Sequence, residues 1–153
     1  MLFVHVVLAV LVAVQTGASA SEPTVVFVRE HGAAKSVIAT AYFNKIAAER
    51  GLRARAIYRG TNPQAELSVR TIKGLQDDGL VVPDEKPSAI TSADVEASTV
   101  IFAIGCTLPA NASASGKSAN WDDVPDEQGY GPQRDAIKKH VERLVEDLLR
   151  RQR

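Results

Sequence analysis

Residues 24–36 read TVVFVREHGAAKS, and this stretch decides the fold class of the chain. It begins with a run of β-branched and aromatic residues, TVVFV, which favours a buried β-strand. Residues 29–35 follow, and their glycine and alanine residues suit a tight loop. After the loop, apolar residues recur at helical spacing, and we expect Ser36 to cap this helix through its side-chain oxygen. The stretch therefore predicts a strand, a short loop and a helix in direct succession.

The loop between this strand and this helix has the features of an oxyanion-binding site. Small residues let backbone N–H groups turn toward one point, and the start of the helix adds a partial positive charge. Basic residues stand at both ends of the loop. The residues expected to bind an anion are Arg29, Glu30, His31, Gly32, Ala33, Ala34, Lys35 and Ser36.

The remaining sequence continues the alternation of strands and helices. Apolar and alternating runs predict further strands at residues 53–59, 99–104 and 117–121. Helical spacing predicts helices at residues 36–50, 64–77, 92–97 and from 132 to the end. This order predicts an α/β, doubly wound domain with a small parallel sheet of about four strands and helices on both faces. Ligands of such sheets bind beyond the carboxyl ends of the strands, where the loops after residues 28 and 104 both open.

Composition excludes several classes of protein. The chain has 18 basic and 18 acidic residues, and without a broad basic face we predict no nucleic-acid partner. Its single cysteine, Cys106, cannot form an internal disulfide or a cysteine-rich zinc site. The three histidines lack ligand spacing, so we predict no metal and no cofactor. We expect Arg53, Arg55 and Arg59 to face solvent along an edge strand, with an anionic partner surface as the alternative.

Residues 1–20 predict export of the domain that follows them. They contain no Asp, Glu, Lys or Arg, and an apolar run from Leu2 to Val14 precedes the small residues at 18–20. This pattern indicates a secretory signal peptide that is cleaved after Ala20, which leaves residues 21–153 as a periplasmic or secreted domain. The alternative is an uncleaved membrane anchor, for which the apolar run is short compared with about 20 residues.

The order of these segments resembles the low-molecular-weight protein tyrosine phosphatases and the related thioredoxin-coupled arsenate reductases. Members of this family have a strand, a cysteine, five further residues, an arginine and a serine that opens a helix. The strand TVVFV, the loop and Ser36 follow that layout, and TVIFAIGC at residues 99–106 resembles a cysteine-bearing strand of the reductases. WDDVPD at 121–126 resembles the loop of the general acid. The resemblance covers residues 24–150 and implies the family's fold, with Asp126 at the general-acid position and Cys106 at a redox position.

The chain departs from the family at the positions that perform the chemistry. Arg29 stands where the nucleophilic cysteine is expected, and a guanidinium is always protonated and cannot attack phosphorus or arsenic. Lys35 stands where an arginine grips phosphate, so the planar bidentate contact is lost. Glu127 replaces the proline that usually follows the general acid. Cys106 has no second cysteine with which to complete a redox relay.

Three hypotheses for the function follow from these residues. The first is a catalytically inactive, phosphatase-like domain that keeps a loop for phosphate, arsenate or sulfate. The second is an active phosphatase or arsenate reductase of altered mechanism, with Glu30, His31 and Asp126 as titratable groups and Cys106 as nucleophile. The third is a structural or interaction module with an unknown protein partner, in which Arg29 pairs with Glu30 or a neighbouring carboxylate. A loop hydrogen bond for His31 and a buried apolar environment for Cys106 are the simpler interpretations.

Overall fold

The structure is a computed structural model that describes residues 21–126 and 128–153; the predicted signal peptide at 1–20 and Glu127 lie outside the described residues. The strands are β1 (Thr24–Arg29), β2 (Arg55–Gly60), β3 (Val100–Ala103) and β4 (Ser118–Asn120). The helices are α1 (Lys35–Glu49), α2 (Val69–Asp77), α3 (Ser92–Ala97), α4 (Ala110–Ser113) and α5 (Tyr130–Arg151). In these two ranges, no helix combines the length and the apolar character needed to cross a membrane.

The four strands form one parallel sheet in the order β2-β1-β3-β4. Val26 of β1 lies opposite Ile57 of β2 on one side and Ile101 of β3 on the other. The two interior strands, β1 and β3, are the two continuous apolar runs of the sequence, because both of their faces are covered. The prediction of a small parallel sheet in an α/β domain is confirmed.

Alternate side chains of β1 point to opposite faces of the sheet, as the two-residue period of a strand requires. Val25 and Phe27 belong to the larger apolar cluster, to which α1 and α5 contribute. Val26 and Val28 belong to a smaller cluster, to which α3 and α4 contribute. Helices therefore lie on both faces of the sheet, as the sequence predicts.

The expected solvent exposure of Arg53, Arg55 and Arg59 holds for two of the three. Arg53 and Arg55 are exposed, and β2 lies at an edge of the sheet. Arg59 is the exception, because its Nε and Nη2 atoms donate to the carboxylate of Asp94 at 2.9 and 3.1 Å. Asp94 belongs to α3, which packs beside this edge of the sheet. The prediction for Arg59 is therefore wrong, and its side chain ties α3 to β2.

The predicted capping of α1 by Ser36 is also wrong. The helix begins at Lys35, and Ala34 occupies the cap position without a side-chain hydrogen bond. Ser36 lies inside the first turn, fully buried, and within the described ranges its Oγ has no hydrogen-bond partner. Ser36 is therefore a buried residue of the first helical turn and not its cap.

Other element boundaries differ from the predictions by a few residues. The second helix begins at Val69 rather than residue 64, because Ser68 takes the cap position and accepts a hydrogen bond from Thr71 N–H at 3.4 Å. The last helix begins at Tyr130, two residues before Pro132, whose missing N–H is tolerated in a first turn. The long loop after β3 contains the unpredicted α4 and the predicted fourth strand.

Candidate functional site

The loop at residues 29–35 is held in place through its backbone carbonyl groups. Four of these carbonyls accept a hydrogen bond from a backbone N–H of the segment that follows β2. The pairs are Arg29 with Thr61 (3.3 Å), Glu30 with Asn62 (2.8 Å), His31 with Gln64 (3.2 Å) and Ala33 with Ser68 (3.0 Å). Because the C=O and the N–H of one peptide point in opposite directions, the N–H groups of the next residues point away from that segment.

These N–H groups have no hydrogen-bond partner among the residues that the structure describes. Among residues 21–126 and 128–153, no acceptor binds a backbone N–H of the loop from Glu30 to Ser36. Successive unpaired N–H groups in a turn beside a helix start form a concave surface with positive potential. The loop therefore keeps the geometry of an anion cradle.

Gly32 brings the loop close to β2. It adopts φ +58°, and a Cβ atom on it would lie 2.8 Å from the backbone nitrogen of Gly60. Only glycine satisfies both the positive φ and this approach. The glycine of the sequence stretch REHGAAK is thus required by the shape of the loop.

The two basic residues at the loop ends meet on one carboxylate. Lys35 is buried, and its Nζ donates to Val124 O at 2.9 Å and to Asp126 Oδ1 at 2.5 Å. The Nη2 of Arg29 donates to the same Asp126 Oδ1 at 3.0 Å, and its Nη1 donates to Gly105 O at 2.5 Å. The hydrogen bond from Lys35, followed by the charges of Lys35 and Arg29, lowers the pKa of Asp126. Asp126 is therefore the anion that the loop holds in this structure.

The segment that presents Asp126 is anchored by aromatic packing. Trp121 is buried, and its ring lies 4.6 Å from the ring of Phe102 and 4.7 Å from that of His140. Its backbone N–H donates to Ala103 O. His140 also contacts the Asp123 carboxylate at 2.7 Å. Trp121 thus fixes the start of the segment that carries Asp126 over the loop.

The other predicted site residues lie further from this ion-pair centre. His31 is exposed, and its Nδ1 lies 3.3 Å from Asn62 O, so a loop hydrogen bond is its observed contact. Glu30 is exposed and has no ion-pair partner among the residues that the structure describes. Cys106 is half-buried and its Sγ donates to Val28 O at 3.4 Å. Burial raises the pKa of this thiol, which disfavours the nucleophilic thiolate.

Sequence reasoning missed the two backbone acceptors of the site. Gly105 O and Val124 O bind the cations, but a backbone carbonyl has no signature in the sequence. It also missed a second polar cluster, in which Asp78 accepts hydrogen bonds from Tyr42 and Tyr130 at 2.7 Å each. The signal for such a cluster is a tyrosine on the inward face of a helix, as Tyr42 is in α1 and Tyr130 is in α5.

The site combines positive charge with backbone hydrogen-bond donors. Arg29 and Lys35 supply two cations at the ends of the loop, and a row of backbone N–H groups lies between them. No group of three or more metal-ligating side chains occurs in residues 21–126 and 128–153. A cleft of about 810 Å³ lies elsewhere, between α1, β2 and residues 79–85, and contains none of the loop residues.

Comparison with known proteins identifies the fold. No family model and no curated protein matches the chain. YfkJ from Bacillus subtilis matches with a TM-score of 0.74 and 18% identity, over 88% of this chain and 99% of YfkJ. A thioredoxin-dependent arsenate reductase from Corynebacterium glutamicum matches with a TM-score of 0.70 and 19% identity, over 86% of this chain and 64% of the reductase.

A low-molecular-weight protein tyrosine phosphatase from T. tengcongensis matches as well, with a TM-score of 0.73 and 16% identity. That match covers 82% of this chain and 99% of the phosphatase. At this level of identity the comparisons establish the fold alone. The chain has the fold shared by low-molecular-weight protein tyrosine phosphatases and arsenate reductases.

Proposed function

We propose that this domain is an exported, phosphatase-like protein that binds a tetrahedral oxyanion in the loop at residues 29–35 and does not perform the family's reaction. The observation that supports the proposal is the convergence of Arg29 and Lys35 on Asp126 Oδ1. Arg29 and Lys35 lie at opposite ends of the loop, and both donate to the same anionic oxygen. Phosphate, sulfate and arsenate offer several such oxygens.

The charge balance favours a dianion. Arg29 and Lys35 contribute two positive charges, and Asp126 neutralises one of them. The remaining positive charge and the unpaired loop N–H groups favour a ligand that brings more negative charge than one carboxylate. Among structures with this fold, one is an arsenate reductase in the phosphate-binding state, which is consistent with an oxyanion at this place in the fold.

The residues at the reacting position argue against catalysis. In one matched structure, the arginine phosphatase YwlE with its active-site cysteine changed to serine, the serine is phosphorylated. Arg29 has no lone pair for such a bond. Cys106 is oriented to Val28 O, and its raised pKa keeps the thiol protonated. Loss of the nucleophile from an enzyme that works through a covalent intermediate costs on the order of 10⁶ in rate.

A structural role is the second candidate, and the same ion pairs favour it. Arg29 pairs with a neighbouring carboxylate, as this alternative predicts, although that carboxylate is Asp126 and not Glu30. In this case the three charges only join β1, α1 and the segment at 121–126. The two candidates differ in whether a free anion displaces Asp126.

Calorimetric titration with sulfate, phosphate and arsenate tests the proposal. We expect binding of each oxyanion at millimolar concentrations or below, and at least tenfold weaker binding by Arg29→Gln, which loses a charge-assisted contact. Arg53→Gln is the matched control, because Arg53 is exposed and precedes β2, whereas the loop follows the carboxyl end of the parallel strand β1. A sulfate concentration of 100 times the Kd should add about 2.7 kcal/mol to the free energy of unfolding.

Two results would contradict the proposal. An absence of binding at millimolar oxyanion would leave the structural role. Turnover of an aryl phosphate between pH 5 and 8 that disappears in Cys106→Ser would instead establish an enzyme of altered mechanism.

A further inference from the structure

A second positively charged region lies at the end of the sheet opposite the loop. Two segments that contain arginines and no acidic residue meet there, 50–55 and 150–153. Gln152 Nε2 donates to Arg53 O at 3.0 Å and joins the end of α5 to the start of β2. We name the region the basal arginine cluster. Its members, all exposed, are Arg50, Arg53, Arg55, Arg150, Arg151 and Arg153.

Most of this positive charge is not neutralised by the protein. Arg150 pairs with Glu146 and Asp147 of its own helix. Glu49, the carboxylate that precedes Arg50, is bound by Lys45. In the part of the chain that the structure describes, the other five arginines have no ion-pair partner. The cluster is a local basic face on a chain whose net charge is zero.

The chain enters the domain at this same end. The N–H of Arg55 donates to Pro23 O at 3.0 Å, so the residues before β1 approach the domain beside the cluster. In the sequence, the apolar run from Leu2 to Val14 precedes this point by a few residues. Strands of six residues separate the cluster from the loop at 29–35 by roughly 20 Å.

We propose that the basal arginine cluster docks on the surface of an anionic lipid bilayer, with the loop at residues 29–35 turned away from the lipid. Basic residues near a membrane surface attract anionic headgroups, and each contributes about 1 kcal/mol, or roughly fivefold in affinity. A lipid surface is favoured over nucleic acid, because predicted export carries the domain across a membrane and away from nucleic acid. In the alternative of an uncleaved anchor, the apolar run precedes this same face of the domain. The cluster lies within residues 21–153 and acts whether or not residues 1–20 are removed.

Vesicle flotation tests the docking with the full chain as an exporting host processes it. The probes are vesicles of phosphatidylcholine alone and vesicles that also contain phosphatidylglycerol. We expect at least tenfold tighter binding to the anionic vesicles and a loss of this difference at high salt. Binding to neutral vesicles reports any retained apolar segment, so the difference isolates the arginines.

A charge-matched pair of variants locates the effect. The triple substitution Arg53→Gln, Arg55→Gln and Arg151→Gln should weaken binding to anionic vesicles on the order of 100-fold. The control is Arg70→Gln, Lys139→Gln and Arg143→Gln, which removes three exposed cations elsewhere and should change binding less than fivefold. Sulfate affinity should stay unchanged in the cluster variant, so failure of docking is distinguishable from failure of oxyanion binding.

Three results would overturn the proposal: equal affinity for neutral and anionic vesicles, an equal loss in the control variant, or retention on a DNA duplex without any preference for anionic vesicles. Circular dichroism of both triple variants shows that each is folded before the comparison is made.

Discussion

Lys35 Nζ lies 2.5 Å from Asp126 Oδ1, so the buried cation of the loop is already bound by a carboxylate of the same chain. The side chain of Asp126 is 64% exposed, whereas that of Lys35 is 4% exposed. The cation is thus fixed in the structure and the carboxylate is the partner that can leave. An incoming oxyanion competes with Asp126 for the two loop cations.

Asp126→Asn should raise the affinity for sulfate at least tenfold, because the competing negative charge is removed while the cations remain. Sulfate is the suitable probe, since it stays a dianion at neutral pH. Calorimetry measures the effect, and Asp122→Asn, an exposed carboxylate in the same segment, is the control. Weaker binding by Asp126→Asn would show that the carboxylate assists the ligand instead of competing with it.

Lys35→Met should lower the free energy of unfolding by about 1–3 kcal/mol, because Val124 O and Asp126 lose a charged hydrogen-bond donor. Urea denaturation measures this change. Lys45→Met is the comparison: its pair with Glu49 is a surface i,i+4 pair, and such pairs contribute about 0.5 kcal/mol or less. Equal effects of the two substitutions would mean that the buried ion pair makes no net contribution.

Gly32→Ala should destabilise the protein more than Gly51→Ala. Both glycines have positive φ, +58° and +70°, and an alanine there costs about 1 kcal/mol of backbone strain. A Cβ on Gly32 would also lie 2.8 Å from Gly60 N, whereas one on Gly51 has nothing within 4 Å. Crowding should add about 1–3 kcal/mol at Gly32 alone. Urea denaturation compares the two, and equal losses would show that the loop has room to move away from β2.

Tyr130→Phe should reduce the loss of stability at alkaline pH. Burial and the hydrogen bond to Asp78 raise the pKa of Tyr42 to about 12, and the same two causes raise the pKa of Tyr130. The folded state holds these protons more tightly than the unfolded state, whose tyrosine pKa is about 10. Their contribution is therefore present below pH 10 and is lost as the pH rises through the folded pKa values.

Urea denaturation between pH 8 and 11 checks this pH dependence. The unfolding free energy of the native chain should fall above about pH 10, and that of Tyr130→Phe should fall less. Asp78→Asn keeps both tyrosines and removes the charge beside them, so it should also flatten the curve. Parallel curves for all three proteins would exclude the contacts of Asp78 with Tyr42 and Tyr130 as the cause of the alkaline loss of stability.

Arg29→Cys combined with Lys35→Arg should produce measurable hydrolysis of an aryl phosphate. The double substitution supplies the thiol and the guanidinium that the family pattern requires, on a loop whose backbone is unchanged. Removal of Arg29 also withdraws one of the charges that lower the pKa of Asp126, and a general acid must keep its proton. Arg29→Ser with Lys35→Arg is the control without a thiol. Equal rates for the two double variants, or none in the folded cysteine variant, would contradict this prediction.

The sequence predicts the fold where local patterns and burial agree. The run TVVFV becomes β1 because both faces of a central strand are covered, and its residues at 25–28 are fully buried. The helix predicted at 92–97 has the observed bounds, because Thr91 and Asp94 form a capping box that the sequence shows directly. Local side-chain chemistry sets these elements.

Prediction from the sequence fails where contacts between segments far apart in the chain determine the position of a side chain. Asp126 meets Lys35 and Arg29 only because β1, α1 and the segment after Trp121 are brought together by the sheet. Arg59 resembles any exposed arginine of an edge strand until α3 places Asp94 beside it. Ser36 resembles a helix cap, but the helix begins at Lys35, and its cap position is Ala34, two residues before Ser36.

The carbonyl hydrogen bonds from the loop to Thr61, Asn62, Gln64 and Ser68 involve no side chain. The shape of the loop backbone therefore does not depend on which side chains stand at its two ends. Substitutions at positions 29 and 35 can accumulate in a lineage without disturbing the backbone between them. The backbone of the loop is therefore compatible with more than one pair of residues at these two positions.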